Sequence, residues 1–471
     1  MKEMLERETK FDVDERFSVP AIDDLARGPV ERSTVELSSA YFDTPEGDLL
    51  SHGLQLRRRE GDDDTGWQLK VPGDDGRLEI RTTLSDHPPS ELTDLLTGVT
   101  LGKPLTNVAT IHTVRERYRF LSPRRGRLRA ELADDRVHAS TDHNPRAWRE
   151  IEIESGPAAR SLPDELADRL IEAGAARARY PSKVARALRW ESPAEVGRTA
   201  AERALAEYLA EQIDEVFAGD IGLRRGRDPI HDTRVAIRRL RSTIRVFGKL
   251  LDKHAIGEVE TELKWYAGLL GEVRDCHVQR RRFRSALADL PVDLVLGPVA
   301  GRITSDLQSQ QVRARAEVTE AMNGSRYLDL LRTLQRWRTD PPIANPPTRG
   351  ALDKRARRAE RKADRRLAAA VEAGDDALLH RARKAAKRAR YAAELRTPIE
   401  PRAKETVKRY KRIQRILGDH QDGVVASATL RRLALVAGTT PGENGFTFGV
   451  LYEREQQQAE QARRLARDLV E

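Results

Sequence analysis

The stretch ERETK, residues 6–10, places Glu6, Glu8 and Lys10 at alternate positions close to the start of the chain. On a helix these side chains would spread around the axis, whereas on an extended strand they project from one face. Two carboxylates and an ammonium group would then share one surface, which packing alone does not require. The spacing predicts a strand with an ionic face, and the rest of the chain decides whether that face binds a ligand.

Short segments with the same alternation recur as far as about residue 160, separated by clusters of Gly, Pro and Asp. Each has one apolar and one ionic face; Arg57 and Arg59, for example, oppose Leu54 and Leu56. This spacing predicts an antiparallel sheet or barrel. The predicted strands are 54–60, 66–71, 77–83, 113–121, 127–132 and 148–154; a predicted helix follows at 161–174, and residues 182–190 close the domain.

The two signs of charge fall in different predicted strands. Acids concentrate at 6–8 and 150–154, whereas bases concentrate at 57–59, 70, 115–119 and 127–129. Exposure to solvent explains the ionic face of any one strand. The separation of acids and bases across six strands instead favours a site that binds a polyanion together with its metal. Arg and Lys hold phosphate oxygens by charge-assisted hydrogen bonds, and carboxylates hold Mg²⁺ or Mn²⁺. If the sheet closes with this face inward, it forms a polar tunnel.

An ordered series of motifs in this region resembles the CYTH family, the triphosphate tunnel metalloenzymes. The series comprises ERETK (6–10), YFDT (41–44), LRRR (56–59), LKVP (69–72), RLEIR (77–81), the Arg-x-Arg at 115–117 and EIE near 150. The resemblance implies an eight-stranded antiparallel barrel over residues 1–190 that binds triphosphate groups with a divalent metal. The family includes inorganic, thiamine and RNA triphosphatases and class IV adenylyl cyclases.

Carried over residue by residue, the resemblance implies two sets of site residues. Catalysis would use Glu6, Glu8 and Lys10, and the metal ligands would be Glu6, Glu8, Glu150 and Glu152. The substrate-binding residues would be Lys10, Arg57, Arg59, Lys70, Arg115, Arg117, Arg129 and Lys183. Glu79 and Arg81 also fit the pattern, without separable roles. One further tunnel acid would be Asp134 or Asp135, and alternation favours Asp135.

From about residue 200 the chain changes to long segments rich in Ala, Leu, Arg and Glu, which predict an all-α region at 200–471 after a linker at 191–199. A proline-rich break at 340–350 divides this region into halves, 200–339 and 350–471. HDTRVAIRRLR (231–241) matches HRARKAAKRAR (380–390), and LGEVRDCHV (270–278) matches LGDHQDGVV (417–425). Two matches at nearly one offset predict a duplicated unit of two helical bundles.

One basic stripe recurs in both halves. A helical wheel aligns His231, Arg234, Arg238, Arg241 and Arg245 in the first copy, and His380, Arg383, Lys387 and Arg390 in the second. A solvated face explains one such helix, but a repeated stripe led by a histidine indicates an anion-binding surface. The repeated motifs resemble the CHAD family, a helical domain often found beside CYTH domains and associated with inorganic polyphosphate. The resemblance implies that these stripes bind polyphosphate.

The composition agrees with an anionic partner and a cytoplasmic location. The 471 residues carry a net charge of +9 and 34% of them are charged. The single cysteine, Cys276, excludes an intrachain disulfide framework, and no apolar stretch approaches the ~18 residues of a membrane span. A P-loop NTPase is disfavoured because no Walker-type glycine loop is present. His231 and His277 lack the i, i+4 spacing of a helical zinc site.

The leading interpretation is a metal-dependent triphosphatase that hydrolyses inorganic triphosphate or a related triphosphate, with polyphosphate bound by the basic helices. Two alternatives stay open: a polyphosphate-binding protein without activity, and adenylyl cyclase-like use of a nucleoside triphosphate. Nucleic acid is a less favoured partner, because aromatic residues make up only 5% of the chain. The carboxylates at both ends of the predicted barrel favour the enzyme, since phosphate binding alone does not require them.

Overall fold

The computed structural model describes residues 1–62, 65–73, 75–142, 144–159, 161–190 and 198–470. The chain forms two compact units, Met1–Ala194 and Glu195–Glu471. Most of the predicted linker, residues 191–197, lies outside the described residues. Among the helices described, none is both long and apolar enough to cross a membrane.

The N-terminal unit is built on a ten-stranded antiparallel sheet in the order β1-β6-β5-β4-β3-β7-β8-β9-β2-β10. Its strands are β1 (Lys2–Glu6), β2 (Glu8–Val13), β3 (Val30–Asp43), β4 (Gln55–Glu60), β5 (Gly66–Gly73), β6 (Gly76–Thr82), β7 (Thr106–Leu121), β8 (Leu128–Ser140), β9 (Arg146–Ser155) and β10 (Ala176–Arg177). Its helices are α1 (Asp48–Ser51), α2 (Ser90–Thr100), α3 (Leu162–Glu172) and α4 (Lys183–Ala187).

The predicted antiparallel sheet is confirmed, but within the described residues it has ten strands instead of eight, and no pairing joins its end strands β1 and β10 into the predicted closed barrel. The predicted first strand is divided at Arg7, and the two-residue strand β10 is added beside β2. Residues before Arg7 pair with β6, whereas residues after it pair with β9. The acids of the first ten residues therefore reach two strands that lie far apart in the sheet order. Neither β3 nor α2 is among the predicted segments.

The two faces of the sheet differ in polarity, as the alternation predicts. Phe11, Leu132 and Ile151 are buried on one face, where α3 contributes Leu166 to the same apolar core. The helix α3 ends just before Gly174, which has a φ of 101°, a left-handed conformation that glycine adopts without strain. The opposite face of the sheet carries the ionic side chains.

The C-terminal unit is all-helical, as predicted. Its helices are α5 (Ala200–Arg224), α6 (Ile230–Phe247), α7 (Lys253–Ala288), α8 (Val299–Asn323), α9 (Ser325–Thr339), α10 (Arg349–Ala373), α11 (Asp376–Arg396), α12 (Ala403–Gly438) and α13 (Phe446–Arg467). Helices α5 and α10 each have 25 residues, and each follows a threonine whose side chain caps the helix, Thr199 or Thr348. These caps are 149 positions apart, as are His231 and His380, so the order of α5 and α6 recurs in α10 and α11.

Candidate functional site

A cavity of about 440 Å³ lies against the ionic face of the sheet. Side chains from β1 to β9 and from the start of α4 line it. The cavity brings together most of the predicted site residues: Glu6, Glu8, Lys10, Arg57, Arg59, Lys70, Arg115, Arg117, Glu152 and Lys183. Two predicted residues that the structure describes, Arg129 and Glu150, are not among its lining residues.

The positions of Arg129 and Glu150 follow from local structure. Arg129 is buried where β8 shifts its register against β7, so that simple alternation does not apply to it. Glu150 accepts a hydrogen bond from the indole Nε1 of Trp148 at 2.5 Å and lies 2.9 Å from Lys183 Nζ. These contacts hold the Glu150 carboxylate beside the cavity instead of in it.

Glu152 is the centre of a buried ion network. It pairs with Lys10, and its two oxygens lie 2.6 Å from Lys183 Nζ and 2.6 Å from Arg115 Nη2. Burial alone would raise the pKa of Glu152, but the positive charges of these neighbours outweigh it and hold the pKa well below its ordinary value. The network keeps Glu152 ionised and fixes three cations at the cavity wall.

Asp135, Glu150 and Glu152 form a buried group of carboxylates whose oxygens lie within 4.8 Å of one another. Lys183 Nζ contacts all three carboxylates, at 2.8, 2.9 and 2.6 Å respectively. The pKa of Lys183 is correspondingly raised, because the attraction of these acids outweighs burial. An ammonium group therefore already neutralises this cluster, and a metal ion there would have to displace it.

A second group of carboxylates forms a row across three neighbouring strands. Glu154 on β9 lies directly opposite Glu8 on β2 and Glu131 on β8, and all three line the cavity. Glu8 pairs with Lys10 at 3.2 Å and with Arg77 at 3.3 Å. Within the described part of the chain, the side chain of Glu154 forms no hydrogen bond or ion pair. Like charges directly opposite one another destabilise a sheet unless a cation offsets them.

Within this row, the pKa values of Glu154 and Glu8 are shifted in opposite directions from the ordinary value of a glutamate. Burial, together with the negative charges of Glu6 and Glu131, raises the pKa of Glu154 to about 7. Burial acts in the same direction on Glu8, but Lys10 and Lys70 outweigh it and lower the pKa of Glu8 to about 2. The acids Glu131 and Glu154 are not among the predicted ligands, although Glu154 shares the alternation phase of Glu152 and Glu131 shares that of Asp135.

The structure separates the adjacent acids Asp134 and Asp135. Asp135 faces the network and receives two hydrogen bonds of 2.7 Å from the Arg115 guanidinium. Asp134 receives hydrogen bonds of 2.8 and 2.6 Å from Arg149, whose Nη1 also donates to the backbone of Phe17. Asp134 thus belongs to the packing of the other face, and Asp135 lies at the cavity side, as alternation favours.

In the helical unit, the two repeated motifs contact each other in each half. Arg234 Nη1 donates to the carbonyl oxygen of Gly271 at 3.1 Å and to Asp275 at 3.2 Å. In the second half, Arg383 lies 3.8 Å from Asp422 and packs against Gly418. A Cβ atom at either glycine would come within 3.3 Å of the guanidinium. The glycines therefore admit the arginine and the aspartates orient it.

The two predicted basic stripes meet where α6 contacts α11. Burial, together with the positive charges of Arg383, Arg238 and Arg234, lowers the pKa of Lys387 to about 7. Not every stripe residue joins this cluster. Arg241 and Arg245 pair with Glu260, and Arg390 pairs with Glu394. His231 and His380 have lowered pKa values because of burial and neighbouring cations.

Comparisons with known proteins identify both units. The family model of the CYTH domain matches residues 4–188, and that of the CHAD domain matches residues 207–431. A Mycobacterium tuberculosis (strain H37Rv) protein named "Uncharacterized protein Rv2226" is 35% identical over 490 residues, covering 98% of this chain and 94% of that protein. One similar solved structure is PptA from Streptomyces chartreusis, which is 22% identical, covers 57% of this chain and 98% of that chain, and has a TM-score of 0.49. Another is the CHAD domain from the plant Ricinus communis, which is 22% identical, covers 56% of this chain and 86% of that chain, and has a TM-score of 0.44. The predicted resemblances are confirmed, and the chain belongs to the proteins that join a CYTH domain to a CHAD domain.

Proposed function

We propose that the N-terminal unit is a metal-dependent triphosphatase that hydrolyses inorganic triphosphate or a related triphosphate. One observation carries the proposal: a row of three carboxylates and a set of buried cations line the same cavity. A polyanion alone would be repelled by the row, and a metal alone would not need the cations. A triphosphate with its metal satisfies both. The proposal includes the predicted tunnel, in which the sheet surrounds the substrate.

The residues present fit a hard divalent cation, Mg²⁺ or Mn²⁺. Carboxylate oxygens are the ligands that such ions prefer, and Glu154 has no other partner within the described residues. Glu8, Glu131 and Glu154 would close around the ion, with Glu6 and Glu152 at the same cavity; among the described residues, the carboxylates already within 4.8 Å of one another are those of Asp135, Glu150 and Glu152. This set replaces Glu150, whose carboxylate is engaged by Trp148 and Lys183. When bound, the ion neutralises phosphate charge and lowers the pKa of a coordinated water.

The cations of the cavity hold the substrate. Arg57, Lys70 and Arg115 come from strands β4, β5 and β7, so they reach a phosphate chain from different sides. Their charge-assisted hydrogen bonds orient the terminal phosphorus for in-line attack by water. Water adds to that phosphorus and the bridging P–O bond breaks, which releases orthophosphate and pyrophosphate from tripolyphosphate. The same cations stabilise the charge that develops on the departing oxygen.

The test is phosphate release from tripolyphosphate by the full chain, with Mg²⁺, with Mn²⁺ and with EDTA. We expect metal-dependent release, and we expect kcat/KM to fall at least about 1,000-fold in Glu8→Gln/Glu154→Gln, a loss of about 4 kcal/mol of transition-state stabilisation. Glu150→Gln is the matched control and should stay within about tenfold of the unaltered chain. A larger loss in Glu150→Gln than in Glu154→Gln would reject the ligand set. Formation of a cyclic nucleotide from ATP would instead favour the cyclase alternative.

The adjacent acids Asp134 and Asp135 should have different roles, Asp134 in the stability of the fold and Asp135 in activity. Asp134→Asn removes the charge that pairs with buried Arg149, so the free energy of unfolding should fall by about 3 kcal/mol while the kcat/KM of the folded protein is unchanged. Asp135→Asn should lower kcat/KM at least about tenfold, because Arg115 and Lys183 lose one of the two carboxylates that they share, the other being Glu152. Urea denaturation and phosphate release measure the two effects. Equal activity losses in both variants would contradict this assignment.

We further propose that the helical unit binds inorganic polyphosphate at the cluster formed by Arg234, Arg238, Arg383 and Lys387. The support is electrostatic. Among the described residues, no carboxylate contacts Arg238 or Lys387, and the acids near the cluster are Asp275, Asp419 and Asp422. Clustered cations on contacting helices repel one another, and a chain of phosphates offsets that repulsion.

Lys387 should make polyphosphate binding depend on pH. Its pKa of about 7 in the free protein reflects burial and the facing charges, which are Arg383, Arg238, Arg234 and Asp422. A bound polyanion raises this pKa, so binding takes up a proton above pH 7. Affinity should therefore be constant just below pH 7 and fall by up to about tenfold per pH unit above it.

Titration calorimetry between pH 6.5 and 9 with polyphosphate of defined length measures this dependence. The control is Lys387→Arg, which keeps its charge throughout this range. We expect the arginine variant to bind with a flatter pH profile than the unaltered chain. Identical profiles for the two proteins would show that Lys387 does not titrate on binding.

A further inference from the structure

A second cavity, of about 490 Å³, lies in the helical unit between the end of α6, the first half of α10 and the middle of α11. Its lining divides into two parts. Val246, Gly248, Ala359 and Ala385 provide an apolar floor. Six cations surround this floor: Arg245, Lys249, Arg355, Arg358, Lys362 and Arg388. We call this cavity the α10 pocket. Of its lining residues, only Arg245 belongs to the predicted stripes.

The cations of the α10 pocket are almost unneutralised. The exception is Arg245, whose guanidinium Nε donates a hydrogen bond of 2.8 Å to the Glu260 carboxylate. In the ranges that the structure describes, no carboxylate forms an ion pair with the other five cations. The Nε of Arg355 is buried and has no hydrogen-bond partner. The charge of Arg366 lowers the pKa of Lys362, and burial with Arg245 and Arg366 lowers the pKa of Arg388. An anion would relieve this repulsion.

The internal duplication does not reproduce the α10 pocket at the equivalent position, which is formed by α5, the middle of α6 and the end of α11. At the offset of 149 positions that relates α5 to α10, the counterparts of Arg355, Arg358 and Lys362 are Ala206, Leu209 and Ile213, all of them buried apolar residues. The counterpart of Arg245 on α11 is Glu394, which pairs with Arg239, itself the counterpart of Arg388. The equivalent position thus has an apolar contact and an ion pair where the α10 pocket has a ring of cations.

We propose that the α10 pocket binds a small organic phosphate that carries at least two phosphate groups on an apolar body, of the class of nucleoside di- and triphosphates. The pocket has the volume of a small-molecule site. The ring of cations accounts for the phosphate groups, and guanidinium groups also stack on planar bases. The apolar floor contributes nothing to an inorganic chain but buries the organic part of such a ligand. This site is separate from the polyphosphate cluster.

Photolabelling of the full chain with 8-azidoadenosine triphosphate in EDTA locates the site without turnover. We expect labelled peptides from residues 245–249, 355–362 or 385–388. Unlabelled ATP should protect these peptides from labelling at a concentration at least about tenfold lower than the concentration of tripolyphosphate that gives the same protection. Labelling at these peptides should fall at least about tenfold in Lys362→Gln/Arg388→Gln. The matched control is Arg357→Gln/Arg361→Gln, which removes the same charge from exposed positions of α10 and should leave labelling unchanged.

A third variant, Ala359→Leu, tests the apolar floor. Leucine keeps all charges and is a good helix former, so the protein should fold while the floor is filled and nucleotide labelling falls about tenfold. Circular dichroism confirms folding of every variant. Absence of label from these peptides would overturn the proposal. Equal protection by ATP and tripolyphosphate, with no effect of Ala359→Leu, would reduce the pocket to an inorganic phosphate site. Hydrolysis and polyphosphate binding are measured separately, so failure here leaves those proposals intact.

Discussion

Glu152→Gln is expected to abolish hydrolysis of tripolyphosphate and to lower the free energy of unfolding by about 3 kcal/mol. Glu152 is 9% exposed and pairs with Lys10, Lys183 and Arg115. Glutamine still accepts hydrogen bonds but carries no charge, so Lys10, Lys183 and Arg115 lose the carboxylate that joins them. The loss of activity follows because the same cations would move apart and no longer present a fixed surface to the phosphates.

Urea denaturation and phosphate release measure the two effects of Glu152→Gln. The control is Glu116→Gln, on the same sheet, which removes an exposed carboxylate that pairs with Arg136 at 3.0 Å. Exposed pairs contribute little, so the control should change the free energy of unfolding by less than about 1 kcal/mol and leave hydrolysis intact. If Glu152→Gln were as stable as its control, the network would be too well solvated to act as the rigid wall proposed here.

Arg238→Gln/Arg383→Gln is expected to weaken polyphosphate binding at least about 100-fold. Hydrogen bonds to charged groups contribute about 1.5–3 kcal/mol each, and the variant removes two such donors from the centre of the cluster. Its free energy of unfolding should be unchanged or higher, because removing like charges relieves repulsion in the free protein. Weaker binding without a loss of stability distinguishes a cluster that binds polyphosphate from one that supports the packing of the helices.

Calorimetric titration with polyphosphate, together with thermal unfolding, tests this variant. Arg464→Gln/Arg467→Gln on α13 removes the same net charge from exposed positions and should weaken binding by less than about threefold. Comparable losses in both variants would mean that the unit attracts polyphosphate through its overall charge. A large loss of stability in Arg238→Gln/Arg383→Gln would mean that the guanidinium groups support the packing of α6 and α11.

Local sequence patterns determined much of the site. Alternation placed Glu6, Glu8 and Lys10 on one ionic face, and it favoured Asp135 over Asp134 at the cavity side. The repeated motifs indicated that two helical segments, each led by a histidine, carry equivalent basic stripes. Such inferences succeed because the direction of a side chain depends only on its position within its own strand or helix.

Tertiary structure decided which of these side chains meet. The division of the first strand at Arg7 and the pairing of β9 with both β2 and β8 align Glu8, Glu154 and Glu131, whereas the bulge at Arg129 removes that residue from the cavity. The contact of Arg234 with Gly271 explains why the two repeated motifs occur together. The α10 pocket exists because α10 carries cations where α5 carries apolar residues. These features depend on the register and packing of segments distant in sequence, which periodicity within one segment does not specify.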